Sequence, residues 1–167
     1  MNRALLFIFL CSTLIFNSCG IYSFTGADTG NAKTFQVNFF QNNAQLVEPG
    51  IDIEFTNQLQ ELIVNQTNLS LTNSNADLTY EGEITDYRIS PMTATAEQTA
   101  AQNRLTITVN VRYFNRLDEE KDFERPFSFF FDYPADQQLV GSVKDVAIAT
   151  IFERLTLDIF NASLANW

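Results

Sequence analysis

Few residues in this 167-residue chain are suited to chemistry, and each set of them is incomplete. Glu81 and Glu83 stand two apart, which puts both carboxylates on one face of a strand, a spacing that suits a general acid beside a general base. An exposed polar strand face explains the same pattern without a third group, and is the better reading. The run Asp118-Glu119-Glu120-Lys121-Asp122 is rich in carboxylates but lacks the ligand spacing of an EF-hand, so it reads as a solvated hairpin tip. The chain has no histidine. Ser-His-Asp triads, Cys-His pairs and His-based zinc sites are therefore excluded. No P-loop, GxGxxG or GxSxG motif is present. The expectation is a non-enzymatic protein with no catalytic residues, no metal site and no cofactor.

Cys19 is the residue whose surroundings do specify a reaction. Arg3 precedes an apolar run from Ala4 to Phe16, too short for a transmembrane helix, which needs about 20 residues. The run ends at Phe16-Asn17-Ser18-Cys19-Gly20, a small residue followed by cysteine. That is the layout of a bacterial lipoprotein signal, in which the thiol takes diacylglycerol, cleavage precedes the cysteine and the new amine is acylated. Phe16 and Asn17 are bulkier and more polar than a strict lipobox would have. The alternative is an ordinary secretory signal with an incidental cysteine. The lipid reading is favoured because Cys19 alone stands at the end of the apolar run; Cys11 lies inside it and leaves with it. The expected division is residues 1–18 as signal peptide and 19–167 as the mature domain. Three acyl chains exceed the two-signal requirement for stable anchoring. No acidic residue follows Cys19 directly, so an outer-membrane, periplasm-facing location is expected.

Composition narrows the class of partner. The chain has 20 acidic and 10 basic residues, a net charge of −10, and a hydrophobic fraction of 46%. An acidic balance argues against nucleic acid, whose phosphates are held by Lys and Arg. The apolar fraction is enough for one real core.

The elements follow from periodicity. After a short apolar stretch, Ile21 to Phe24, the segment Thr34 to Phe39 alternates and places Phe35, Val37 and Phe39 on one face of a strand. Gln41 to Gly50 reads as a loop. Ile51, Phe55, Leu59, Leu62 and Ile63 then recur at helical steps, with Asp52 and Glu54 in the first turn where the helix dipole favours them. Leu69 to Thr72 suits a short strand. Leu78 to Ile89 reads as a long one with Leu78, Tyr80 and Ile84 on one face; Tyr87 falls out of phase, so Gly82 or a bulge near Asp86 must reset the register. Ser90 to Gln102 has almost nothing to bury and reads as a mobile loop. Leu105, Ile107, Val109, Val111 and Tyr113 alternate with Thr106, Thr108, Asn110 and Arg112 in the clearest strand of the chain. Phe123 to Tyr133 returns as its hairpin partner, with Phe127, Phe129 and Phe131 assigned to the core and Phe130 left open. Ser142 with Asp145 resembles a capping box for a last helix. Its expected stripe is Val143, Val146, Ala147, Thr150, Ile151, Leu155 and Ile159, widened by Phe152 and Phe160.

Two amphipathic helices on one face of a mostly antiparallel sheet make an α+β two-layer sandwich. The other face then carries Thr106, Thr108, Asn110 and Arg112, which become the candidate partner-binding residues. A half-polar face with aromatic patches suits a wet contact.

Several segments in this order resemble a known family. Cys19-Gly-Ile-Tyr-Ser-Phe24, Phe35-Gln-Val-Asn-Phe39, Ala76-Asp-Leu-Thr-Tyr-Glu-Gly-Glu-Ile-Thr-Asp-Tyr87, and the closing Asp158-Ile-Phe-Asn161 with Trp167 look like the lipopolysaccharide-assembly lipoproteins, the LptE family. The resemblance implies a two-helix sandwich at the outer membrane, seated in the lumen of an LptD-like β-barrel that it plugs and helps assemble. It also implies binding of lipopolysaccharide through basic residues. Here the chain departs, since only Arg88, Arg104, Arg112, Arg116, Lys121 and Arg125 are available around the sheet of an acidic protein. The alternative function is a general periplasmic lipid-carrying or adaptor lipoprotein.

Overall fold

The computed structural model describes residues 27–92 and 101–165. Cys19, the stretch Ile21 to Phe24, most of the loop expected after Ser90, and Trp167 lie outside the described residues.

The chain builds β1 (Thr34–Val37), β2 (Gln41–Asn42), α1 (Ile51–Gln66), β3 (Ser70–Leu71), β4 (Leu78–Met92), β5 (Gln102–Asn115), a single 3-10 turn at Glu119–Lys121, β6 (Phe123–Pro134) and α2 (Gly141–Leu164). The strands form one mixed six-stranded sheet in the order β3-β1-β4-β5-β6, with β2 also on β4. β4, β5 and β6 run antiparallel over most of their length, while β1 and β2 join β4 in parallel. Both helices pack on one face. The expected α+β sandwich is thus the observed fold.

β5 is the spine. Leu105, Ile107, Val109 and Val111 are fully buried and Tyr113 is nearly so. Burying each of the aliphatic four is worth about 1.5–3 kcal/mol. Opposite them β4 contributes Leu78, Tyr80, Ile84 and Tyr87, all buried. The phase change between Ile84 and Tyr87 is a bulge, with the register shift falling between Ile84 and Asp86. Gly82 serves another purpose. A Cβ there would lie 2.0 Å from the Asn110 carbonyl oxygen and 2.8 Å from Phe40 Cε1, so only glycine admits the Phe40 ring.

Phe40 corrects the reading of the first strand. β1 ends at Val37, Phe39 is exposed and Phe40 is fully buried. The strand stops because the Phe40 N–H turns inward and donates to Thr56 Oγ1 on α1 at 3.1 Å. Phe40 then meets Phe55 edge-on at 5.2 Å between centroids, and Phe55 meets Phe152 of α2 at 5.2 Å. This aromatic ladder ties the chain after β1 to both helices, and such pairs add about 0.5–1.5 kcal/mol each beyond area.

Other expectations shift. The strand read as ending at Ile89 continues to Met92, and the next begins at Gln102, because Ser90, Pro91 and Met92 stay in register with Arg104, Asn103 and Gln102. The Gln41–Gly50 loop contains the two-residue β2. The capping box at Ser142 does not form: Val140 is the N-cap and no side chain caps it. On α2, Val146 and Thr150 are exposed and Ile148, outside the expected stripe, is buried, while Phe152 and Phe160 are buried as expected. The buried stripe is turned toward α1, where Phe152 meets Phe55; on the other flank β6 is the last strand among the described residues.

One carboxylate fastens the N-terminal corner. Asp77 accepts from the Lys33 and Thr34 N–H groups at 3.0 and 3.1 Å, from Thr34 Oγ1 at 3.0 Å, and from the Arg116 guanidinium. The Lys33 amide, then Arg116, hold its carboxyl well below the usual carboxylate range. Asp77 thereby joins β1, β4 and the end of β5.

Gly82→Ala should destabilise the domain by about 2–3 kcal/mol, because neither the carbonyl of a central strand nor a buried ring can move aside freely. A urea midpoint unchanged from wild type would contradict this packing.

The uncovered sheet face as a candidate interface

The strand alternation that buries Leu105 to Tyr113 delivers the four candidate residues to the opposite side. Thr106, Thr108, Asn110 and Arg112 are all half-buried on the helix-free face. β4 and β6 flank them in register: Thr106 lies between Arg88 and Phe130, Asn110 between Glu83 and Pro126, and Arg112 between Glu81 and Glu124.

These side chains are already engaged. Arg112 Nε donates to Glu81 Oε1 at 3.0 Å, and its Nη1 lies 3.5 Å from Glu83 and 3.9 Å from Glu124. The hydrogen bond to Glu81 chiefly raises the guanidinium's already high pKa, so Arg112 stays charged. Asn110 Nδ2 donates to both Glu83 and Glu124. Thr108 Oγ1 donates to Ser128 Oγ at 3.0 Å. The pair Glu81 and Glu83, weighed above as an acid and base, is bridged by one arginine, the strand-face arrangement that the sequence favoured.

At the other end of the face Arg104 makes a two-pronged contact with Asp132, at 2.7 and 2.8 Å. Its guanidinium carbon lies 3.5 Å over the Phe130 ring. This answers what covers Phe130: it is on the open face, 41% exposed, under an arginine. Phe127, Phe129 and Phe131 point to the helix side but are only half-buried, because β6 is the last strand.

The basic residues counted in the sequence do not merge into a patch. Arg88 pairs with Asp86, Arg104 with Asp132, Arg112 with the glutamates, Arg116 with Asp77, and Lys121 sits 3.8 Å from both Asp28 and Asp118. Among the described residues only Arg125 of these six has no carboxylate in salt-bridge reach; it lies over the rings of Phe123 and Phe127. The face is thus polar, internally hydrogen-bonded and slightly acidic. It can meet another polar wet surface through many modest contacts, and it offers no concentrated charge for a phosphate. Sequence reasoning found the four residues on β5 and missed their carboxylate partners. Those depend on strand register, which the bulge at Ile84/Asp86 alters.

Arg112→Met should lower Tm by roughly 2–5 °C, with the deficit largest at low salt, because three carboxylates lose their common cation. Thermal melts at two ionic strengths measure this; an unchanged Tm at low salt would show the cluster to be energetically idle.

With this geometry in view, comparison with known proteins is informative. The LptE (lipopolysaccharide-assembly) family profile matches residues 32–163. No curated protein matches the sequence. Among solved structures, the chain is similar to the hypothetical protein CT253 from Chlamydia trachomatis, at 11% identity and TM-score 0.51, covering 81% of this chain and 99% of that one. It is also similar to a minor lipoprotein from Acinetobacter baumannii, at 15% identity and TM-score 0.45 over 80% of this chain and 97% of that one. Rare lipoprotein B from Shewanella oneidensis matches at 11% identity and TM-score 0.43, covering 76% and 89%. The first of these speaks to the fold alone. The family profile spans β1 through nearly all of α2, the whole sandwich, and the chain belongs to the LptE family of lipopolysaccharide-assembly proteins.

Proposed function

We propose that the chain is an outer-membrane lipoprotein, anchored through Cys19 and facing the periplasm, that plugs and helps assemble a β-barrel translocon for lipopolysaccharide. Residues 1–18 are its signal peptide and 19–167 its mature domain. Membership of the lipopolysaccharide-assembly family supports the process. The single observation that supports the plug is the helix-free sheet face around Thr106, Thr108, Asn110 and Arg112. It is polar, slightly acidic and internally paired between arginines and carboxylates, which suits the wet, polar lumen of a barrel better than an apolar patch would. Among the described residues no helix is long and apolar enough to cross a bilayer; the proposed attachment is the lipid on Cys19.

Two experiments test this reading. Cys19→Ala should abolish labelling by radioactive fatty acid and release the chain from the membrane fraction. Continued labelling and membrane retention would refute the anchor. For the interface, single changes such as Thr108→Ala should do little, since a wet contact spreads its energy. The double variant Thr108→Glu with Asn110→Glu adds charge to an already acidic face, and should cut co-purification of the barrel about tenfold while circular dichroism remains native. Val109→Asp, one residue away but facing the core, should instead unfold the domain. A folded double variant that recovers the barrel at wild-type yield would exclude this face.

A further inference from the structure

The two edges of the sheet are unequal. One closes with the two-residue β3, while among the described residues nothing lies beyond the twelve-residue β6. A long, apolar, unpaired edge invites strand addition, and natural proteins blunt such edges. β6 is blunted at its ends only. Its register with β5 is unbroken from Phe123 to Pro134, and the Ala135 N–H donates to the Ala101 carbonyl at 3.0 Å. Odd-numbered residues therefore face β5, and even-numbered backbone groups face outward. Pro126 and Pro134 are both even, the parity at which a strand tolerates proline. Between them the N–H groups of Ser128, Phe130 and Asp132 point out from the edge.

The surroundings of this window specify what would fit. Phe127, Phe129 and Phe131 alternate on the helix side and stay half-buried. A groove of about 300 Å³ lies beside Phe131 and Tyr133 and is walled by Val143 and the exposed Val146 of α2. A second, of about 520 Å³, lies beside Phe127 and holds Arg125 and Asp158. Asp158 is taken by Arg154 at 3.1 Å, which leaves Arg125 without a salt-bridge partner among the described residues.

We propose that the β6 edge between Pro126 and Pro134 is a strand-addition site for an extended segment of another protein. That segment carries apolar side chains toward α2 and a carboxylate opposite Arg125. A second copy of this chain fits less well. The helix-side residues of β6, from Phe123 to Tyr133, include no carboxylate, so no antiparallel self-paired register gives Arg125 a partner on β6, and a net charge of −10 opposes self-association. The edge is distinct from the open face, so this inference stands or falls apart from the barrel reading.

The test uses the full chain in detergent and two synthetic peptides at millimolar concentration. One is acetyl-Thr-Val-Thr-Val-Thr-Val-Thr-Glu-Thr-amide, which matches Arg125 when antiparallel; the other has the reverse order, for a parallel partner. One of them should slow amide exchange at Ser128, Phe130 and Asp132 about tenfold, read residue by residue by NMR. Ser128→Pro removes an outward N–H without touching the β5 ladder and should abolish that protection, while Ser128→Ala should keep it. Arg125→Glu should lose the peptide and recover it when the peptide's Glu is replaced by Lys. This gives a second reading if the proline variant fails to fold. The double glutamate variant of the open face should bind peptide like wild type. The proposal is overturned if neither peptide protects these amides, or if a folded Ser128→Pro is protected as well as wild type. It is also overturned if the chain alone forms a dimer that Ser128→Pro dissolves, since the occupant would then be a second copy.

Discussion

A strand paired on both sides cannot choose where its side chains point, and β5 is such a strand for almost its whole length. Its residues go alternately to one face or the other, and a slip of one position would exchange the two sets entirely. Leu105, Ile107, Val109, Val111 and Tyr113 therefore commit one face to burial. Everything else accommodates that commitment. α1 and α2 must lie on that side, β4 must bulge after Ile84 to keep Tyr87 inside, and Gly82 must lack a Cβ so that Phe40 can complete the layer between sheet and helices. The same geometry leaves Thr106, Thr108, Asn110 and Arg112 on the helix-free face, half-buried among the described residues.

The charge distribution reconciles an acidic chain with an ordered polar face. A net charge of −10 would make the sheet's exposed carboxylates repel one another if they were left alone. Instead the few arginines stand among them: Arg112 within reach of three glutamates, Arg104 clamped on Asp132, Arg116 on Asp77. Each exposed pair is worth little by itself. Together they fix side-chain positions across three strands and leave a surface that is patterned rather than merely hydrated.

Membership of the LptE family places the chain in lipopolysaccharide assembly. The fold then divides its surface into parts with different capacities: a helix layer, a polar open face, one short edge and one long edge. The open face offers side chains, and the long edge offers backbone. Contacts of the first kind depend on charge and polarity, and those of the second on strand geometry, so the two can be altered independently.

Much of this was legible from residue order. The apolar alternation of β5, the helical spacing from Ile51 to Ile63 and the hairpin around Asp118 determined the elements, because periods of two and of 3.6 are written locally. Which face is buried also follows from that alternation, and with it the positions of Thr106, Thr108, Asn110 and Arg112. Tertiary structure decided what depends on distant neighbours. Phe39 and Phe40 are equally apolar; Phe40 goes inside because Thr56 on α1 receives its N–H and Gly82 on β4 leaves it room. Val146 and Thr150 fit the helical stripe, yet they are exposed, because α2 turns its packing toward α1 through Ile148 and Phe152. The partners of Arg112 depend on a register that one bulge shifts. That β6 ends the sheet, and that its prolines share a parity, emerges only once the strands are laid side by side, since strand order is set by long-range pairing and not by any local pattern.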